Sequence, residues 1–365
     1  MRADAPRSLH RILLPALASV AALAGIAAPR TAAAFCRTTT CQLPPSFSPS
    51  PGTCEPPDYA SYCASLNPPQ KVLPIFWSNA CVSYDIQKNA SDQVPLATAT
   101  TLFAKAFGQW TSTSCGSAGT VSISTTNLGP VDCDLVQYSS DQGNQHVIIF
   151  HDDVWPHIDT SVDMVNTLAL TTITFNPDTG EIYDADMEIN STKAFPLSLA
   201  DPVPPDGYDF QSIIQHETGH FLGLAHSGDV NATMFAHYEE GSTSMRILSP
   251  DDKSAICSVY LPGGERAVDP SVAPSGAIVE ATCDPTPRHG FQSSCAQPLK
   301  PKCSLASAPT GGGPAGAGMV AAGLAVAAFA RRSRRRVRPR TGRPERAACA
   351  RSLSRARARA RSARM

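Results

Sequence analysis

QHETGHFLGLAHS, residues 215–227, is the stretch on which the reading of this chain turns. It sets His216, Glu217, His220, Gly223 and His226 in the order H-E-x-x-H-x-x-G-x-x-H. Histidines four residues apart share one helix face, so His216 and His220 can present imidazole nitrogens to a single Zn²⁺. Glu217 sits beside the first ligand, where a carboxylate can take a proton from water at the metal. Gly223 tolerates the positive φ that ends a helix and turns the chain sharply, bringing His226 round as third ligand. Three protein ligands leave a fourth position open, which marks a catalytic zinc rather than a structural one. The competing reading is a polar buried helix that happens to carry histidines. Five fixed residues within eleven favour the metal over that alternative.

The segment HETGHFLGLAHS resembles the zinc helix of the matrixins, a family of metzincin metallopeptidases. Ser227 after the third histidine fits that family, as do Met234 in ATMF at the spacing of its methionine turn and Tyr238 four residues on. LSPDDKSAICSVY (248–260) is similar to its last helix and AFGQW (106–110) to its first, so the resemblance spans about 71–262. It implies an α+β fold of the metzincin type, with a mixed twisted sheet, a zinc helix, a methionine turn and a C-terminal helix. It further implies a zinc endopeptidase acting on proteins or peptides that lie along the sheet edge. Two features depart from the family: Ala236 stands where proline is common, and no PRCGxPD-like cysteine switch is present. The first bears on the substrate pocket and the second on latency.

Both ends point to export. Residues 1–34 carry Arg2, Arg7 and Arg11, an apolar run from Ile12 to about Ala28, and then Thr-Ala-Ala-Ala. That is the order of a secretory signal peptide cut after Ala34, with an uncleaved anchor as the alternative. At the other end, Cys303 and a Gly/Ala spacer precede a weakly apolar segment, 311–330, and an Arg-rich tail, 331–365. About nineteen apolar or small residues can span a bilayer, and a basic cluster holds its end in the cytoplasm. The arrangement resembles the C-terminal sorting tag of myxobacterial surface proteins, which implies Cys303 as an attachment site; a plain membrane anchor is the alternative. The expected location is the cell surface, at an outer membrane, or the medium.

Cysteine usage and charge agree with export. Ten of the twelve cysteines, Cys36, Cys41, Cys54, Cys63, Cys81, Cys115, Cys133, Cys257, Cys283 and Cys295, lie before the spacer. An even set without a C-x-x-C pair reads as disulfides, whose pairing the sequence leaves open. Fifteen arginines oppose Glu345 after residue 330, and four oppose Asp4 before residue 35, so the total of −1 leaves −18 for residues 35–330. So acidic a body repels polyanions and offers carboxylates to divalent cations. No nucleic-acid partner is expected, since the arginine run lacks aromatic residues and follows the apolar segment.

Residues 35–70 are Pro/Ser/Cys-rich and show no helical or strand period, so they read as a disulfide-pinned segment ahead of the 71–262 domain. Residues 263–310 return to that composition and read as a stalk. Between them, 98–112 is predicted as a helix with Leu102, Phe103, Ala106, Phe107 and Trp110 inward. Residues 80–87, 119–126, 146–153, 168–176 and 180–190 are predicted strands, with NPDTGE turning between the last two. The zinc helix begins near Asp209 or Phe210, capped by Asp206 or Asp209.

Two weaker groups are metal candidates. His146, His151, Asp152, Asp153 and His157 cluster in sequence, with solvated loop residues as the alternative. Asp184, Asp186 and Glu188 alternate and so share one strand face, where they bind Ca²⁺ or simply face solvent. His237, after the methionine turn, is a cleft candidate or merely exposed. The function these readings give is peptide hydrolysis with zinc on His216, His220 and His226 and Glu217 as general base. The alternatives are a non-catalytic adhesion protein that keeps the fold, which would have no need of Glu217, and a metzincin nearer the serralysin or astacin type.

Overall fold

The computed structural model describes residues 35–41, 59–157, 167–279 and 282–297, together with the backbone of 361–364. The chain runs through β1 (Cys36–Arg37), α1 (Tyr59–Ser65), β2 (Cys81–Gln87), α2 (Leu96–Thr111), β3 (Ser124–Val131) and β4 (Val147–His151). It continues through β5 (Ala169–Phe175), β6 (Ile182–Asn190), β7 (Leu197–Ser198), β8 (Tyr208–Asp209), α3 (Phe210–Phe221) and β9 (Leu224–Ala225). Last come α4 (Pro250–Val259), β10 (Tyr260–Leu261), β11 (Glu265–Ala267), β12 (Ala277–Val279) and β13 (Arg361–Arg364).

The main sheet has the order β5-β6-β4-β2-β3, with β13 along the outer side of β5. β3, β2, β4 and β6 are mutually parallel, whereas β5 runs antiparallel to β6. This is the mixed sheet of the α+β class. NPDTGE makes the β5–β6 turn, with Gly180 at φ 81° and its amide donating to Asn176.

Period-two alternation then sorts the side chains. Tyr84 and Ile86 of β2, Ile148 of β4 and Ala185, Met187 and Ile189 of β6 face α2 and α3. Tyr84 stacks on Phe107 at 4.4 Å between centroids, and Phe107 meets Phe221 edge-on at 5.0 Å, which joins sheet, α2 and α3 in one core. Phe103, Ala106, Phe107 and Trp110 of α2 are buried as expected, and Leu102 is half-buried at the margin.

Two elements differ from the sequence reading. β3 occupies 124–131 rather than 119–126, because pairing with Cys81–Gln87 sets its limits. Gly129 and Pro130 are tolerated there because β3 is an edge strand opposite an irregularity between Tyr84 and Ile86. The described parts of 35–70, residues 35–41 and 59–70, also carry regular elements that the composition did not suggest. β1 pairs antiparallel with β9, and the seven-residue α1 packs Tyr59 and Cys63 against Cys41, to which Cys63 is disulfide-bonded. Two turns of helix are too short for a period to register.

The described part of 263–310 lies against the same body. Cys81–Cys283 and Cys133–Cys295 pin it to the ends of β2 and β3, while β10, β11 and β12 form a small antiparallel sheet. Cys115–Cys257 ties the loop after α2 to α4. No helix among the described residues is long and apolar enough to cross a membrane. The predicted signal peptide, 1–34, as well as Cys303 and the predicted 311–330 membrane segment, lies outside the described residues.

The far face of the sheet is polar yet covered. Val136 packs on Val147 and Ile149, and the Gln137 amide donates to Asp186 Oδ2 at 2.9 Å. Asp85, between Tyr84 and Ile86, points to this face and is fully buried. Burial pushes its carboxyl up to about 7. A raised carboxyl favours the protonated native state, so this contribution to stability is complete below the ordinary carboxylate value, about 4, and is lost as pH rises through about 7. Asp85→Asn is therefore expected to raise the melting temperature at pH 8 and to leave it nearly unchanged at pH 4. Thermal unfolding at both pH values checks this; an equal shift at the two would sink it.

Candidate metal centre

The helix that carries the metal motif is set by its ends. Asp209 is the N-cap, its side chain accepting from the Ser212 amide at 2.9 Å, which decides between the two predicted caps. The same carboxylate receives Arg246 Nε and Nη2, both at 2.8 Å, so the 235–247 segment is clamped to the start of α3. At the other end Gly223 takes φ 91° and its amide donates to His220 O at 2.8 Å. The chain then turns into β9, held by β1, and delivers His226.

The three predicted ligands come together. Ring centroids of His216, His220 and His226 lie 4.7, 5.3 and 4.9 Å apart, and their ligand nitrogens fall within 4.8 Å of one another. His216 Nδ1 is 2.7 Å from Thr233 O, and His220 Nδ1 is 2.8 Å from Leu224 O. A carbonyl only accepts, so each Nδ1 carries the hydrogen and each Nε2 keeps its lone pair. Those two Nε2 atoms stand 2.9 Å apart. An imidazolium could relieve the repulsion, but burial and the neighbouring His220 and His226 hold His216 well below the ordinary histidine range. Burial likewise takes His220 down to about 4. Neutral imidazoles with facing lone pairs suit a shared divalent cation, and an all-nitrogen set suits zinc.

Glu217 is fully buried beside this cluster. Its Oε2 accepts from Thr171 Oγ1 at 2.5 Å, while Oε1 has no hydrogen-bond partner among the described residues. Burial raises its carboxyl to about 8 against the opposing effect of the Thr171 hydroxyl. The sequence reading did not single out Thr171, which lies on β5, 46 residues away.

Met234 lies buried against α3. Gly219, inside the motif, makes that possible: a Cβ there would strike Met234 Sδ and come within 2.8 Å of Trp110 Cζ2. Trp110 Nε1 donates to Gln215 O at 3.0 Å and Thr218 Oγ1 at 3.1 Å, fixing α2 on α3. The Ser227 amide donates to Met234 O at 2.7 Å, and the Ser227 hydroxyl to Asp251 Oδ2 at 2.7 Å.

Asp252 is the other residue the sequence reading passed over. It closes a capping box with Ser249 on α4 and also accepts from the Thr233 amide at 2.7 Å and the Met234 amide at 3.1 Å. Because Thr233 O receives His216 Nδ1, this carboxylate stands behind the first ligand. Serine followed three residues later by an acidic residue was a readable cap signal; its reach to residue 233 was not.

The weaker candidates do not converge. His146 is buried, with Nδ1 2.9 Å from Ser83 O. Asp152 accepts from the Ser91 and Ser191 hydroxyls at 2.6 and 2.5 Å, and Asp153 is exposed. His151 and His157 instead reach the two oxygens of Glu188, at 2.9 and 2.7 Å. Asp184, Asp186 and Glu188 share a strand face as predicted, but they are buried rather than solvent-facing, because the 131–145 segment covers that face. Asp186 is occupied by the Val147 and Gln137 amides and Glu188 by the two histidines. Among the described residues, His216, His220 and His226 form the set of three or more side chains close enough to share an ion. His237 is exposed and in ring contact with Phe235 at 5.5 Å.

Comparison with known proteins agrees with the geometry. The family model described as matrixin matches residues 76–261, just over half of the chain. Matrix metalloproteinase-27 of Tupaia belangeri is 39% identical over 79 residues, 22% of this chain and 15% of that protein. Neutrophil collagenase of Homo sapiens is 35% identical over 79 residues, 22% of this chain and 16% of that protein. Matrilysin of Homo sapiens is 28% identical over 207 residues, 57% of this chain and 64% of that protein. The matched regions thus span less than two thirds of each of these relatives.

Proposed function

Since this chain belongs to the matrixin family, we propose that it is an exported zinc endopeptidase with His216, His220 and His226 as ligands and Glu217 as general base. The observation that carries the reading is the pair of Nε2 atoms facing each other at 2.9 Å, on the helix that also carries the buried Glu217. Zinc bound there supplies a Lewis acid that lowers the pKa of water and polarises a carbonyl.

The chain's own groups do the rest. Thr233 O and Leu224 O fix the tautomer and orientation of two ligands, as outer partners of metal-bound histidines do. Glu217 Oε1 takes a proton from the attacking water and returns it to the leaving amine. A peptide is aligned along the outer side of β5 by main-chain hydrogen bonds. That side accepts an extended strand, since β13 lies antiparallel on it from Arg361 opposite Ile173 to Arg364 opposite Leu170. The four described disulfides fit an oxidising compartment. Calcium on Asp184, Asp186 and Glu188 forms no part of this reading, because two of those side chains are already engaged within the protein.

Purified oxidised protein is expected to carry one zinc per chain, to cleave casein, and to lose cleavage on chelation and regain it on adding zinc. Stoichiometric zinc without cleavage would favour a non-catalytic surface protein. Failure to bind zinc would overturn the reading.

A further inference from the structure

We propose that Thr171 is a positioning residue, whose hydroxyl orients the Glu217 carboxylate from the same strand that receives the peptide. The inference rests on the reading of Glu217 as general base.

Thr171 sits on β5 between Ala169 and Ile173, whose side chains share its face and are buried in the apolar core. Thr171 is itself fully buried. A hydroxyl enclosed in this way needs an acceptor, and valine would fill the same space without that need. The acceptor is Glu217: Thr171 Oγ1 lies 2.5 Å from Oε2 and 3.4 Å from the main-chain oxygen of the same residue. A hydroxyl has one proton to give. Donated to Oε2, it stops rotation of the carboxylate and leaves Oε1, which has no hydrogen-bond partner among the described residues, as the oxygen presented to water.

β5 also presents its outer side to an incoming strand. In the register of β13, Ala363 stands opposite Thr171. A peptide in the same register therefore places one residue beside the position whose side chain holds the base. Strand docking and base orientation meet at a single residue, so a shift of β5 on docking moves both together.

The test compares Thr171→Val, Thr171→Ser and the wild-type protein, each zinc-loaded. The valine variant is expected to keep one zinc per chain and a KM within about twofold, and to lose about tenfold in kcat, the signature of an interaction expressed after binding. Serine, which restores the hydroxyl, is expected to recover most of that loss. Acetohydroxamate gives a readout apart from turnover, since a chelating hydroxamate donates a hydrogen bond to the base. Its affinity by calorimetry is expected to fall about tenfold in the valine variant and not in the serine variant. If the valine variant does not accumulate, Thr171→Ala removes the hydroxyl without added bulk and takes its place. Wild-type kcat and acetohydroxamate affinity in the valine variant would overturn the proposal, as would equal losses in the valine and serine variants. Zinc-loaded wild-type protein that cleaves nothing would instead overturn the underlying reading of Glu217.

Discussion

Glutamine in place of Glu217 is expected to leave zinc bound at one per chain and to reduce peptide hydrolysis by at least about a hundredfold. The substitution removes none of the three imidazoles, and the Nδ1 partners of His216 and His220, Thr233 O and Leu224 O, are main-chain atoms it leaves in place. The amide is nearly the shape of the carboxyl, and its oxygen can still accept from Thr171. What it cannot do is take a proton from water and pass it to the leaving amine. A hundredfold loss corresponds to about 2.7 kcal/mol of barrier, a modest demand on a general base. Asp251 and Asp252 are committed to Ser227 and to the Thr233 and Met234 amides. Zinc content and casein or peptide turnover are measured on the same preparation. Near-normal turnover with stoichiometric zinc would remove Glu217 from the mechanism and leave only its place next to a ligand.

The clustering of the three histidines was legible because its geometry is local. A four-residue spacing on a helix and a glycine that can take positive φ bring three histidines together whatever surrounds them, and His216, His220 and His226 do meet. The groups that tune the site come from elsewhere in the chain, so no spacing announces them. Thr171 reaches Glu217 from β5, and Gly219 is required only because Met234 and Trp110 press on it. Strand pairing displaced β3 for the same reason, since 119–126 has the propensity but β2 offers partners only to 124–131. The acidic trio on β6 shared a face as its alternation required, yet whether that face met solvent depended on the 131–145 segment folding over it. Cysteine pairing depended on contacts as distant as Cys81–Cys283, 202 residues apart, and pattern alone could not order ten cysteines.

Loss of the Asp252 side chain tests whether such distant groups reach the metal. Asp252 is fully buried and accepts from the Ser249 amide at 2.8 Å, the Thr233 amide at 2.7 Å and the Met234 amide at 3.1 Å. Burial raises its carboxyl, and these hydrogen bonds oppose the rise. Asp252→Ala strands two buried donors and a part-buried one, each buried donor worth roughly 1–3 kcal/mol, so a loss of about 3 kcal/mol in stability is expected. A second effect should accompany it. The Thr233 segment held by Asp252 also supplies the oxygen that orients His216, and removing such an outer partner typically weakens metal binding about 10- to 100-fold. Asp252→Asn keeps one acceptor oxygen and should fall between. Thermal unfolding with and without zinc separates the two effects, because only the second lowers the stabilisation that zinc itself provides. Competition with a chelator then gives the change in affinity directly. If stability falls while zinc affinity stays within twofold, Asp252 is a helix cap alone, and the path from α4 through the methionine turn to His216 carries nothing to the metal.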